Sequence, residues 1–168
     1  MLFKRPLLII LAVVVVSTIT LKRACFKPKQ RRVYVDMVAD MFHPGHVAFL
    51  KQARAFGDYL IVGLNNDEDV KSYKRLPIMN LEERTQAVSA CKYVDEVIPN
   101  CPLRVTDEFI DQHKIDVVVH GDDFNPETIQ HYYGVPIRRN MFKTVPYTKG
   151  VSTSDLIRRI RARAEGEI

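Results

Sequence analysis

The chain has 168 residues, 46% of them hydrophobic, which suffices for one compact domain plus an appendage. Its net charge of +5 is uneven: residues 1–32 carry eight basic groups and no acid, leaving 17 basic against 20 acidic residues in 33–168. The mildly acidic body excludes a nucleic-acid-binding stripe on the folded domain. Cys25, Cys91 and Cys101, with no C-x-x-C pair, exclude a disulfide framework and a thiolate zinc site and fit free thiols in a reducing compartment.

The chain opens with an uncharged run over residues 6–21, 16 residues long. That is short of the roughly 20 residues an upright transmembrane helix needs. Leu2 and Phe3 extend it, and the flanking Lys and Arg side chains can snorkel to headgroups. Two readings stand, a membrane anchor and a cleaved signal peptide. The absence of a small-x-small cleavage site, with Lys22 and Arg23 following, favours the anchor. Two basic side chains precede the run and six follow it between Lys22 and Arg32, so the positive-inside rule places the following domain on the cytosolic side. The expected division is an anchor and basic linker over 1–31 and a catalytic domain over 32–168.

From there the pattern alternates strand and helix. Val33-Tyr34-Val35 begins a short strand, and His46 to Phe56 reads as a helix with Phe49, Leu50, Ala53 and Phe56 at helical spacing. Tyr59 to Leu64 is continuously apolar, as a strand covered on both faces would be. Asn80 and Glu83 predict a capping box opening a helix through Cys91. Glu96 to Ile98 reads as a strand, Thr106 to His113 as a helix and Asp116 to His120 as a buried strand. Ser152 or Thr153 caps a last helix, with Leu156, Ile157 and Ile160 expected inward. Such alternation predicts an α/β fold, a Rossmann-like parallel sheet with flanking helices, whose ligand crevice lies beyond the carboxyl ends of the strands.

At that crevice, directly after the first strand, stands Asp40-Met41-Phe42-His43-Pro44-Gly45-His46. His43 and His46, three apart across a helix start, project to one side. Gly45 lets backbone approach a ligand closely, and the helix N-terminus favours phosphate. A second cluster, Tyr147-Thr148-Lys149-Gly150-Val151-Ser152-Thr153-Ser154, opens the last helix.

On these residues the chain, from Val33 to Ile160, resembles the cytidylyltransferases that act on phosphoethanolamine and phosphocholine. His43 to His46 meets the family's H-x-G-H signature, and Tyr147 to Ser154 its R-T-x-G-[IV]-S-T-[ST] signature. The stretches Pro77 to Arg84 and Lys92 to Val97 are also close to the family. The resemblance implies transfer of CMP from CTP to a small phosphorylated alcohol, phosphoethanolamine before phosphocholine, with release of pyrophosphate. It implies that His43 and His46 bind the triphosphate and that Lys74 bridges the donor and acceptor phosphates; otherwise Lys74 is a solvated lysine in the polar run 67–75. Arg84 matches an arginine that contacts the nucleotide, or else pairs with Glu83 or a neighbour on its helix. Asp40 matches an acid that orients the site or helps hold metal. Gly121, Asp122 and Asp123 fall where the family contacts cytidine, although Gly-Asp-Asp is also ordinary loop chemistry. Gly45, Ser152, Thr153 and Ser154 complete the nucleotide set, with plain N-capping an equal account of Ser152. Mg²⁺ is expected, carried by the phosphates because no dedicated carboxylate cage is visible. Homodimerisation is common among such relatives and is left open here.

Departures from the pattern matter. Tyr147 replaces the signature arginine, so Lys149 or Lys143 is expected to supply the charge from another place. Met37 and Ala39 replace the usual glycine and aromatic residue of the first strand. Tyr132 and Tyr133 either stack on a choline cation or simply pack. His113, His120 and His131 lack metal-ligand spacing, and the arginines of 157–163 read as a solvated helix face. Two other functions remain: adenylyl transfer from ATP, and non-catalytic nucleotide binding by a membrane-held protein.

Overall fold

In the computed structural model, the described residues are 29–148 and 150–166, so the apolar run 6–21 and Cys25 lie outside them. Strands β1 (Arg32–Met37), β2 (Tyr59–Leu64), β3 (Glu96–Pro99), β4 (Val117–Gly121) and β5 (Phe142–Val145) form one parallel sheet in the order β3-β2-β1-β4-β5. Helices α1 (Pro44–Arg54), α2 (Asp67–Tyr73), α3 (Leu81–Ser89), α4 (Asp107–His113), α5 (Pro126–Arg138) and α6 (Thr153–Ala164) connect and flank it. Among the described residues no helix is long and apolar enough to cross a membrane.

The sheet is buried on both faces, which is why its strands are apolar without alternation. Val33, Val35, Leu60, Val62, Val117 and Val119 face one cluster with Leu50 and Ala53 of α1 and Val88 of α3. Tyr34, Ile61 and Val118 face the other, against Phe109 and Ile110 of α4 and Tyr133 of α5.

The strands and caps follow the residue pattern closely. Asn80 and Glu83 form the reciprocal box that opens α3, Thr106 caps α4, and Ser152 caps α6. Three elements depart from expectation. The polar run from Asp67 winds into α2 because Asn66 accepts from the Asp69 amide and Asp67, Glu68 and Asp69 suit a helix N-terminus. Asn125 caps α5, which tolerates Pro136 through a kink at Tyr133 (φ −119°, ψ 18°). The four-residue β5 is too short to declare itself in sequence. On α6, Leu156 and Ile157 are half-buried, but Ile160 is exposed, contrary to its expected inward face.

The switch point of the sheet lies between β1 and β4. β1 runs in register with β2 from Arg32–Tyr59 through Met37–Leu64, yet pairs with β4 only at Val33–Val117 and Tyr34–Val118. Beyond Tyr34 the two strands part, and a crevice opens between their carboxyl ends.

Candidate active site

A cleft of about 1080 Å³ occupies that crevice. It brings together the β1–α1 turn, the α2–α3 loop, the β4–α5 turn and the start of α6. Ala39 (φ 58°) and Met41 (φ 50°) sit in the left-handed region, turning the chain sharply from β1 into α1. Non-glycine residues held there cost strain that the surrounding structure must hold, a pattern concentrated at ligand sites.

The two histidines are fixed by backbone. His43 caps α1: its Nδ1 accepts from the Gly45 amide at 3.2 Å, and the His46 Nδ1 accepts from the His43 amide at 3.3 Å. Their rings stack with centroids 3.8 Å apart and planes 20° from parallel. Gly45 has no room for a side chain, since a Cβ would lie 3.0 Å from the His43 ring and 3.1 Å from the Val151 carbonyl. With both Nδ1 atoms accepting, each neutral imidazole carries its proton on Nε2 and offers one N–H donor. Burial lowers both pKa values. That of His46 falls from 6.5 to about 4, chiefly by burial, with His43 and Lys74 adding and Asp40 opposing. Burial thus favours the neutral form of both rings, each then offering an N–H donor.

Lys74 ends α2, is exposed, and lines the same cleft. Asp40 is buried. One carboxylate oxygen accepts the amides of Ile78 and Met79, both at 3.0 Å, and the other accepts Arg75 at 3.2 Å. Its carbonyl takes the Thr153 hydroxyl at 3.0 Å. Asp40 thus ties the lysine-bearing loop to the start of α6. Both its oxygens are engaged in holding these segments together. Among the described residues, no cluster of three or more His, Cys, Asp or Glu side chains is placed to hold a metal.

Gly121, Ser152, Thr153 and Ser154 line the cleft as expected. The Ser152 hydroxyl is occupied as a cap, accepting from the Asp155 amide and donating to its carboxylate. Two residues expected at the nucleotide lie off the cleft lining. Arg84 is fully buried and lies off the cleft: it donates to the carbonyls of Met79, Val38 and Asn65 and to Asp67. Its charge is satisfied inside the fold, and Asp67 takes the partner's place anticipated for Glu83. Asp122 also leaves the cleft, because its carboxylate accepts the Tyr147 amide at 2.8 Å; Asp123 lines the cleft in its stead. Lys143 is exposed on β5 and does not line the cleft, while Lys149 lies outside the described residues.

Asp36 and Tyr73 are cleft residues without a sequence signal of their own, whereas Tyr132 and Tyr133 stand as candidates for cation stacking. Asp36, at the end of β1, accepts the Tyr133 hydroxyl at 2.8 and 2.9 Å. Burial raises its pKa, opposed by His120 and by the Tyr133 bond. Tyr73, His120, Tyr132 and Tyr133 line the cleft with it. An acid closing an apolar strand was the available clue. Arg75, beside Lys74, is another cleft residue that spacing did not mark.

A parallel sheet with phosphate donors gathered at its switch point defines a nucleotide-binding α/β domain of the H-x-G-H type. The pattern of the cytidylyltransferase-like family matches residues 36–159. The chain belongs to that family. It is 45% identical to the ethanolamine-phosphate cytidylyltransferase of Dictyostelium discoideum, over 80% of this chain and 39% of that one. It is 43% identical to the Arabidopsis thaliana protein of the same name, over 82% and 34%, and 40% identical to choline-phosphate cytidylyltransferase A of Rattus norvegicus, over 84% and 40%. The chain thus spans about two fifths or less of the length of these relatives. A lipopolysaccharide core biosynthesis protein from Thermoplasma volcanium GSS1 shares the fold, with a TM-score of 0.59 and 25% identity over 73% of this chain and all of that one.

Proposed function

We propose that this chain transfers CMP from CTP to a small phosphorylated amino alcohol, phosphoethanolamine before phosphocholine, in phospholipid synthesis. The observation that carries it is the stacked His43–His46 pair, each with its Nε2–H free for phosphate, in one cleft with Lys74 and the start of α6. An oxygen of the acceptor phosphate attacks the α-phosphorus of CTP. The bond to the β-phosphate breaks, and pyrophosphate leaves with that electron pair. Both partners are anions, so positioning and charge stabilisation dominate the barrier. The histidines donate to the triphosphate. Lys74, a mobile point charge, bridges the two phosphates as charge builds on the leaving group.

The preference for an amino alcohol is supported by Asp36, a half-buried carboxylate among tyrosines in the same cleft, suited to a primary ammonium. Gly121 and Asp123 stand where a base would meet the β4–α5 turn. Mg²⁺ belongs to this reading as a companion of the phosphates, whose charge it offsets. It fits a cleft in which, among the described residues, no cluster of carboxylates, histidines or cysteines is placed to cage a metal.

The test is pyrophosphate release with CTP or ATP against a panel of phosphorylated alcohols, with His46→Ala beside the parent. We expect CTP-dependent turnover and a loss of roughly a hundredfold or more in the variant. Turnover with ATP alone makes the chain an adenylyltransferase, and CTP binding without turnover makes it a non-catalytic nucleotide binder. The proposal extends to a membrane anchor over residues 6–21 with the domain on the cytosolic side, supported by the charge flanking that run. Membrane fractionation and protease protection test this, and light scattering tests the accompanying homodimer.

A further inference from the structure

A nucleoside triphosphate brings roughly four negative charges into the cleft, and the share that its Mg²⁺ does not offset has to be met by side chains. Burial favours the neutral form of the two imidazoles, so they enter as N–H donors ahead of charge. Tyr147 contributes an exposed phenol. Among the described residues, the lysine and arginine side chains that line the cleft are Lys74 and Arg75. Lys74 is a flexible point charge, suited to following phosphate groups as they move. Holding a leaving group needs a cation of fixed orientation, and arginine's planar fork supplies one.

Arg75 is held in this way. Its Nη1 donates to the buried Asp40 carboxylate at 3.2 Å, and Asp40 is itself fixed by the Ile78 and Met79 amides and by the Thr153 hydroxyl on its carbonyl. The Arg75 side chain is nonetheless 38% exposed. A guanidinium carries five N–H donors. With one on Asp40, the rest of the fork remains for a phosphate. Arg75 lines the same cleft as His43 and His46. Removing it would also leave the Asp40 carboxylate unneutralised against an incoming polyanion.

We infer that Arg75, oriented by Asp40, is the fixed cation that binds the β- and γ-phosphates of the nucleotide and holds pyrophosphate as it departs. The inference rests on the transferase reading and adds a binding residue to it. The experiment compares the parent, Arg75→Ala and Arg75→Lys, measuring calorimetric binding of inorganic pyrophosphate and steady-state kinetics in both substrates. Arg75→Ala should weaken pyrophosphate binding and raise KM for CTP by about ten- to a hundredfold, leaving the acceptor KM within about twofold. Arg75→Lys should fall between, keeping the charge but losing the fork. If Arg75→Ala does not fold, the lysine variant carries the test alone, with a loss of about threefold or more in pyrophosphate affinity expected. A loop disturbance acting through Lys74 would lower kcat with pyrophosphate binding unmoved, and that result overturns the inference. So does a rise in the acceptor KM in place of that for CTP. A parent that binds neither CTP nor pyrophosphate overturns the transferase reading and this inference together; an active parent matched by Arg75→Ala overturns this inference alone.

Discussion

Arg84 and His46 show how burial can set two basic side chains to different ends. Arg84 places its guanidinium where Val38, Asn65 and Met79 present carbonyls, with Asp67 closing the set, so it fastens the ends of β1 and β2 to α3. Removing it leaves buried acceptors and a carboxylate without a partner. Arg84→Ala should therefore cost about 3–5 kcal/mol in urea unfolding, and Arg84→Lys should recover only part of that. A loss below about 1 kcal/mol would mean that water replaces the side chain. His46 behaves differently because it is kept neutral. Its folded pKa of about 4 lies below its ordinary 6.5, so between those values the unfolded chain binds more protons than the native one. Stability from this group is complete above pH 6.5, falls as pH drops below that value, and is lost below about 4. Urea midpoints taken across that range should decline toward acid in the parent, and His46→Asn should flatten the slope. The kcat/KM for CTP should correspondingly show no His46 ionisation near 6.5.

At the scale of elements, α6 separates capping from ligand binding. The Ser152 hydroxyl is committed to Asp155, so Ser152→Ala should destabilise the fold by about 1 kcal/mol. Ser152→Asn keeps an N-cap acceptor and a donor toward Asp155 but adds bulk beside the phosphates. Thermal unfolding should recover in the asparagine variant while KM for CTP rises, and recovery of both would show that α6 does not meet the triphosphate. The same distinction explains what the sequence makes legible. α1 and α3 could be read because their caps and apolar positions are local, and the H-x-G-H turn because its function depends on four adjacent residues. α2 and α5 could not, since polar composition in one and Pro136 in the other contradict the local pattern and are tolerated only by caps and a kink. The site shows the same limit. His43, His46, Lys74 and the Ser152–Ser154 segment could be placed from motifs. The burial of Arg84, the turning away of Asp122 and the approach of Asp36 to Tyr133 depend on contacts across 17 to 97 residues of sequence, which no short pattern records.

For the molecule as a whole, the sheet order matters more than any one element. With β1 between β2 and β4, the loops after β1 and β2, the turn after β4 and the start of α6 converge on one edge, although they span residues 36 to 154. Asp40 links two of these segments directly, to Arg75, Ile78 and Met79 on one side and Thr153 on the other. A nucleotide seated in the cleft would touch the same segments from the solvent side, so binding should couple them. Because the unfolded chain has no such edge, CTP at a hundred times its Kd should stabilise the fold by about 2.7 kcal/mol. For a chain of this size that corresponds to a Tm rise of roughly 5–10 °C. Hydrogen exchange should then slow together in 74–79 and 150–154 as CTP is added, with α4, on the opposite face from α1, unchanged. Protection confined to α1, with the lysine-bearing loop and the start of α6 exchanging as before, would mean that the histidines bind phosphate without the rest of the cleft and that the four segments do not act as one site.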